Sequence, residues 1–141
     1  TLDTLAALVD SRDQRTRLYV AAGIGNHMRI EEPNAAAASK KAAIFDALIE
    51  GYESDYAPYL VPVCRSSEQL GEMFDKTSKA LGMIEAFVEN PYTPDSVLIE
   101  IASSPTMQLV QHDVARSARE ILQVRADLRE PSSTYDDMAP S

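Results

Sequence analysis

The sequence has no tryptophan and only one cysteine among its 141 residues. The lone Cys64 excludes an internal disulfide framework, and such cysteine usage is typical of a reducing compartment. No apolar run approaches the roughly 20 residues that a membrane-spanning helix needs. A basic segment followed by an apolar one, which would mark a secretory signal, is also lacking at the N-terminus. We therefore expect a cytoplasmic protein that has no membrane partner.

Positive charge is scarce, with 13 Lys and Arg against 22 Asp and Glu and a net charge of −9. This balance disfavours nucleic acid as the main partner, because affinity for nucleic acid depends on basic surface. It is compatible with a basic protein partner. Local exceptions are Arg12, Arg15 and Arg17 and the arginines near the C-terminus, such as Arg116 and Arg119. If the two groups lay side by side they would form a basic face for RNA or an acidic peptide, but arginines paired with nearby acids are the favoured interpretation.

Complete catalytic, cofactor-binding and metal-binding motifs are absent from the sequence. The segment Gly23-Ile24-Gly25 has the spacing that opens a dinucleotide-binding turn, but the third glycine is missing and position 28 is Met28. We interpret these glycines as a loop that ends a helix. The two histidines, His27 and His112, show no metal-ligand spacing with each other or with Cys64. No cofactor and no metal are predicted.

The strongest pattern is an amphipathic helix with an apolar run on each side. Apolar residues recur every three or four positions over 67–89, with Ser66 placed as N-cap and Pro91 just after the end. The runs 59–64 and 97–101 are apolar and β-branched, as is typical of strands. We predict an α+β fold, a helix-rich single domain with a small two- or three-stranded sheet around this strand–helix–strand unit. The alternative is an all-α bundle in which the two runs are extended linkers.

Caps and periodicity predict further helices on both sides of this unit. The first two are expected over 2–9 and over 12–22, the second starting from a capping box at Ser11 and Gln14, with a strand over 17–22 as the alternative. A third is expected over 35–50, with Asn34 and Gly51 as its caps. The last is expected to start at Ser104-Pro105 and to end at residue 129. The apolar stripe of the final helix is predicted to be Met107, Val110, Val114, Ala118, Ile121 and Leu128. Residues 1–129 are predicted to form one globular domain, and residues 130–141 a flexible C-terminal tail.

Cys64 is the weak candidate for catalytic chemistry. It would lie beside Arg65 at the start of the central helix, where a helix N-terminus and a guanidinium lower the pKa of a thiol. The hydroxyl of Ser67 completes a Cys-x-x-Ser spacing and is placed to hydrogen-bond the sulfur. These residues predict a small thiol-dependent enzyme or redox protein as the alternative function.

A tyrosine-rich segment carries the leading hypothesis. Tyr52, Tyr56 and Tyr59 lie within eight residues, and tyrosine is enriched at protein interfaces. The competing explanation is that they line the edge of the core. Together with Arg116 and Arg119 they are the predicted interaction residues. The sequence thus favours a non-enzymatic protein-interaction or assembly factor, able to self-associate and to form part of a larger complex or particle.

Overall fold

The computed structural model describes residues 1–78 and 84–129, and all regular secondary structure within them is helical. Helices make up 77% of these residues and strands none, so the predicted α+β fold with a sheet is wrong and the all-α alternative fits. The helices are α1 (Leu2–Leu8), α2 (Gln14–Met28), α3 (Ala35–Glu50), α4 (Ala57–Leu60), α5 (Ser67–Lys76), α6 (Glu85–Glu89), α7 (Asp95–Ser103), α8 (Pro105–Val110) and α9 (His112–Arg129), with 3₁₀ helices at Ser54–Tyr56 and Val61–Val63.

The chain divides into two compact units, Thr1–Thr93 and Pro94–Ser141. The single domain expected over 1–129 stays a prediction, and the expected tail, 130–141, lies outside the described residues. Among the described helices, none is both long enough and apolar enough to cross a membrane.

The first predicted strand, 59–64, is helical over 59–63, and the prolines just before the run and within it favour this. Pro58 lies in the first turn of α4 and Pro62 in the first turn of the 3₁₀ helix Val61–Val63. The ring of proline fixes φ near −65°, and its missing N–H costs nothing in a first helical turn. A residue pair that weakens a strand therefore suits two consecutive short helices, and only Cys64 remains extended.

The second predicted strand, 97–101, forms most of α7. Val97, Leu98 and Ile101 are buried, whereas Ile99 is 53% exposed. A strand would have placed Val97, Ile99 and Ile101 on one face, but the observed burial follows the helical repeat. Short apolar runs of this kind fit both periods, which is why the strand interpretation failed.

The helix predicted over 67–89 is interrupted at Thr77, whose backbone is extended (φ −88°, ψ 136°). Its hydroxyl donates to the carbonyl of Met73 (2.6 Å) and bonds the hydroxyl of Tyr52 (2.7 Å). Hydroxyl side chains offer the backbone an alternative to continued helix. Residues 79–83 lie outside the described residues. Helix α6 then ends before Asn90, which confirms the stop predicted ahead of proline.

The first unit is arranged around α2, which packs against α1, α3 and α4. The helix interpretation of 17–22 is confirmed, although the N-cap is Asp13 rather than Ser11; the Asp13 carboxylate accepts from the N–H of Thr16 (3.0 Å). Asn34 caps α3 and Gly51 follows its last turn, both as predicted. The helix of strongest amphipathic pattern, α5, therefore lies beside the centre of this unit and not at it.

Gly23 and Gly25 lie inside α2, so their interpretation as a helix-ending loop is wrong. A Cβ atom on Gly25 would lie 2.7 Å from the carbonyl oxygen of Tyr59 in the α4 segment. A Cβ atom on Gly23 would lie 2.9 Å from the Leu5 side chain of α1. The two glycines allow neighbouring helices to approach α2 closely, which explains them without a nucleotide.

The second unit consists of α7, α8 and α9 in its described part. Ser104 caps α8 as predicted, but the helix expected to continue to residue 129 breaks at Gln111 (φ −133°, ψ 54°). Helices α7 and α9 run antiparallel, because Asp95 at the start of α7 bonds Arg125 and Arg129 near the end of α9, each at 2.8 Å. The buried residues of this part are Val97, Leu98, Ile101, Ala102, Met107, Ala115 and Ala118.

Candidate functional site

Cys64 lies between the 3₁₀ helix and α5 and is 2% exposed. Its Sγ donates to the carbonyl of Ser66 (3.5 Å) and lies 3.9 Å from the side-chain oxygen of Gln69. Burial raises the pKa of the thiol; the contact with Ser66 lowers it, and the negative charge of Asp46 raises it further. The position before a helix therefore does not give this sulfur the character of an activated thiolate.

The hydroxyl of Ser67 does not bond the Cys64 sulfur, contrary to what the Cys-x-x-Ser spacing suggests. It donates to the carbonyl of Tyr92 (2.5 Å). Ser66 caps α5 as predicted, accepting from the N–H of Gln69 (3.2 Å). The Gln69 amide, however, donates to Asp46 of α3 (2.7 Å) and does not complete the capping box. The polar groups around Cys64 join α5 to α3 and to the turn at residue 92.

The buried side chain of Asn90 hydrogen-bonds backbone groups before α5 and after α6, a role that the sequence did not reveal. It is 5% exposed, and its amide nitrogen donates to the carbonyls of Val61 (2.7 Å) and Cys64 (2.8 Å). Its side-chain oxygen accepts from the N–H of Tyr92 (2.8 Å). We name these three bonds the Asn90 bridge. In the sequence, Asn90 carried only the signal of a helix end before Pro91.

Two of the three tyrosines in the predicted interaction segment are buried. Tyr52 is 8% exposed and Tyr56 is fully buried, and their rings meet edge to face with centroids 6.0 Å apart. The Thr77 hydroxyl has one proton and donates it to the Met73 carbonyl, so in its bond with Tyr52 it accepts and the Tyr52 hydroxyl donates. Burial raises the pKa of Tyr52 to about 12, against a smaller lowering by the bond to Thr77. These rings lie in the core, where neither can contact a partner directly.

Arg17 of α2 lies against the same tyrosine pair. Its guanidinium carbon is 5.9 Å from the centre of the Tyr56 ring, and Nη2 donates to the carbonyl of Gly51 (3.2 Å). Burial raises the pKa of Tyr56, and the Arg17 charge partly offsets this. In the described part of the chain, Arg17 Nε and the Tyr56 hydroxyl are buried without a hydrogen-bond partner. Arg17 thus serves the interior and does not extend a basic surface.

The third tyrosine, Tyr59, is 38% exposed, and its backbone carbonyl faces Gly25. It is the member of the tyrosine segment that remains available to a partner. Its interaction role, like that of Arg116 and Arg119, stays a prediction.

A cleft of about 560 Å³ lies where α2 ends and α3 begins, and Lys41, Arg29 and Arg65 are among its lining residues. Lys41 is 5% exposed. Its ammonium donates to the carbonyl of His27 (2.9 Å), in the last turn of α2, and to that of Ile30 (3.2 Å), two residues after the helix ends. The buried cation therefore caps a helix C-terminus and stabilises its dipole.

A second cleft, of about 520 Å³, is acidic and includes Asp46, Glu50, Glu68 and Glu72. Even so, no group of three or more His, Cys, Asp or Glu side chains is arranged to hold a metal ion within residues 1–78 and 84–129. His112 lies on the surface of α9, with Nε2 3.1 Å from a carboxylate oxygen of Asp113.

Helix α9 carries the predicted arginines on its surface. Arg116 donates to Asp113 (2.5 Å), so its charge is paired locally, as the sequence indicated. Arg119 is exposed. Arg125 and Arg129 bond Asp95 of α7 and lower the pKa of its carboxyl group.

The apolar stripe predicted for one final helix is divided between α8 and α9 and is not all buried. Met107 and Ala118 of the predicted stripe are buried, but Val110 is 64% exposed and Leu128 is 77% exposed. Val124, which was not assigned to the stripe, is 56% exposed. We name as the α9 seam the residues that follow one another at steps of three and four along this side, namely Val114, Ser117, Ile121, Val124 and Leu128, of which Val114 and Ile121 are half-buried and the other three exposed.

The α9 seam and the side of the helix that faces α7 are distinct. Ala115 and Ala118 are buried, and Arg125 and Arg129 on the same side reach Asp95 of α7. At 3.6 residues per turn, the seam lies roughly 100° around the helix from this side. A helix that shows apolar side chains on a second face has surface suited to a further partner.

Comparison with known proteins adds no function to this geometry, because the chain matches no protein-family model, no curated protein sequence and no solved structure.

Proposed function

We propose that the chain is a non-enzymatic interaction or assembly protein that binds another polypeptide through the α9 seam and forms part of a larger complex. The observation that carries this proposal is the exposure of Leu128 and Val124 on a helix whose other side is already packed. Apolar side chains repeated along one helical face bind by laying that face against a second helix or a groove.

The remaining candidate residues support an interaction role more than a chemical one. Cys64 is buried and its pKa is raised, which is the opposite of what a nucleophilic thiol needs. Ser67 bonds the carbonyl of Tyr92 rather than the sulfur. Rapid alkylation of the native chain at neutral pH would restore the thiol enzyme as the better hypothesis.

The proposed setting is a reducing one. A cytoplasmic location is part of the proposal, supported by a single cysteine that is free and buried. A protein partner is favoured over nucleic acid by the net charge of −9 and by the arginines that bond carboxylates of the same chain.

Site-specific photo-crosslinking tests the proposal. A benzophenone amino acid is placed at Leu128 or, as matched control, at Tyr19 of α2, which is 61% exposed and outside the seam. After irradiation in cells, we expect discrete adducts of defined mass, identified by mass spectrometry, from position 128 and not from position 19. Equal labelling at both positions, or none at either, would contradict the proposal.

A further inference from the structure

We propose that the partner of the α9 seam is the α9 seam of a second copy of this chain, with the two helices parallel. This inference rests on the proposed function and specifies its partner. It follows from the spacing of the seam, from the charges along its two edges and from the position of α7.

Over two heptads, the spacing of the seam matches the repeat of a coiled coil. Val114, Ile121 and Leu128 are seven residues apart and take the first core position of each heptad, and Ser117 and Val124 take the second. This repeat of 3.5 residues keeps a seam facing one partner helix along its length. Val114 and Ile121 are β-branched at the first core position, as in two-stranded parallel coiled coils, where leucine usually takes the second position; here the second position holds Ser117 and Val124.

The charges along the seam select the direction. One edge carries Asp113, Glu120 and Asp127, and the other carries Ala118 and Arg125. In an antiparallel pair the acidic edge of each copy would meet the acidic edge of the other, and the carboxylates would repel. In a parallel pair the acidic edge meets the opposite edge, so that Glu120 faces Arg125 of the second copy.

Helices α7 and α8 both pack against α9, and Val124 and Leu128 of the seam remain 56% and 77% exposed beside them. Helix α7 covers the side of α9 that holds the buried Ala115 and Ala118, roughly 100° from the seam. Arg125 already bonds Asp95 at 2.8 Å, so Glu120 of the second copy would join an existing ion pair. Two copies can therefore join along their seams while each keeps its own α7–α9 pair, which gives a twofold-symmetric pair of α9 helices.

Sedimentation of the full chain tests the pairing. Over a series from low micromolar to millimolar concentration, we expect the mass to rise from that of one chain to that of two. Leu128→Glu should abolish this rise, whereas Gln123→Glu, which adds the same charge on the exposed opposite side of α9, should preserve it. Both positions are exposed, so both variants should retain the helical circular dichroism of the wild type. A rise that survives Leu128→Glu would overturn the inference.

Disulfide trapping tests the direction. In a parallel pair, Val124→Cys places like residues together at a core position, and mild oxidation with a copper–phenanthroline complex should link two copies of this variant. In an antiparallel pair, first core positions face second ones, so with the pair centred between Ile121 and Val124, residue 124 would instead face residue 121 of the other copy. A mixture of Val124→Cys and Ile121→Cys chains would then form the mixed dimer preferentially, which would overturn the parallel arrangement. The wild type is the control, because its Cys64 is 2% exposed.

The two proposals fail in different ways. A chain that stays monomeric at all concentrations, yet still forms adducts to another protein from position 128, would refute self-pairing and leave the proposed function standing. A chain that neither dimerises nor gives adducts at position 128 would refute both.

Discussion

The first unit, Thr1–Thr93, buries several polar side chains that are hydrogen-bonded, whereas the described part of the second, 94–129, holds the two most exposed large apolar side chains of the described residues, Leu109 and Leu128. The buried polar or charged residues of the described chain, Lys41, Thr77, Asn90 and Thr93, all belong to the first unit. Lys41 and Asn90 bond backbone carbonyls, and Thr77 bonds both a carbonyl and Tyr52. In the second unit, α8 and α9 expose Leu109, Val110, Val124 and Leu128, by 84%, 64%, 56% and 77%.

The buried polar residues of the first unit stabilise its fold, whereas the exposed apolar residues of the second are available to a partner. Buried polar groups are costly unless they are satisfied, so a region in which they meet their partners is internally determined. Exposed apolar side chains on a helix gain nothing from the chain itself and gain free energy when a partner covers them. We therefore expect substitutions in the first unit to change stability, and seam substitutions in the second to change association.

The largest expected effect is on the Asn90 bridge. Asn90→Ala removes three hydrogen bonds and leaves the carbonyls of Val61 and Cys64 unpaired by this side chain. Unsatisfied buried groups cost ~1–3 kcal/mol each, so we expect a loss of about 3 kcal/mol in the free energy of unfolding, measured by urea denaturation.

The matched control for Asn90→Ala is Asn26→Ala, the same substitution at an exposed position in α2. It should change the free energy of unfolding by less than about 0.5 kcal/mol. If the two substitutions proved equally mild, the first unit would not depend on its buried polar bonds, and the contrast between the units would disappear.

The next effect is at a glycine where two helices meet. Gly25→Ala places a methyl group 2.7 Å from the backbone oxygen of Tyr59, so α2 and α4 must separate. Forced overpacking of this kind costs ~1–3 kcal/mol, and we expect a loss of about 2 kcal/mol in thermal or chemical denaturation.

Gly71→Ala provides the control for Gly25→Ala. No atom lies within 4 Å of a Cβ at this α5 position, and alanine is the better helix former, so we expect a gain of about 0.5–1 kcal/mol. A gain of stability in both variants would show that helix propensity and not close packing decides the outcome.

Much of the local structure was predictable because its causes are local. Asn34, Ser66 and Ser104 cap their helices as expected, since each bonds an N–H only two or three residues away. The type of structure at 59–64 and 97–101 was not, because short apolar runs fit a strand and a helix equally well. The break at Thr77 depends on Tyr52, which is 25 residues distant.

The candidate site was harder to predict than the helices. The segment around Cys64 was correctly placed before a helix, but the burial that raises its pKa depends on the surrounding tertiary structure. Tyr52 and Tyr56 had the composition of an interface and lie in the core. Conversely, Leu128 had the spacing of a core residue and is exposed. Periodicity indicates that a face is apolar, but it does not tell whether the same chain covers that face.

A smaller effect is expected at Tyr52. Tyr52→Phe removes the bond to Thr77 and should cost about 1 kcal/mol at neutral pH. Because the pKa of Tyr52 is raised to about 12, its contribution is fully present below the unfolded value near 10. It is lost as pH rises from about 10 through 12, so the difference in stability between wild type and variant should narrow there.

Unfolding measured at several alkaline pH values, with Tyr19→Phe as the exposed control, tests the Tyr52 prediction. Absorbance at the phenolate band should show one tyrosine fewer ionising at high pH in Tyr52→Phe. A constant difference between wild type and Tyr52→Phe from neutral pH to pH ~12 would contradict a raised pKa.

The smallest effect on the free energy of unfolding is expected at Asp95, whose polar bonds in the second unit can be compared with those of Asn90 in the first. Its two ion pairs with Arg125 and Arg129 are partly exposed, and exposed pairs contribute little, so Asp95→Asn should cost about 0.5 kcal/mol. The pKa of Asp95 is lowered, so this contribution is present above the unfolded pKa and is lost as pH falls through the folded one. The cost of Asp95→Asn should therefore disappear in acid, when measured against Asp10→Asn, a variant at an exposed position near the end of α1. A cost as large as that of Asn90→Ala would mean that polar bonds determine the second unit as well.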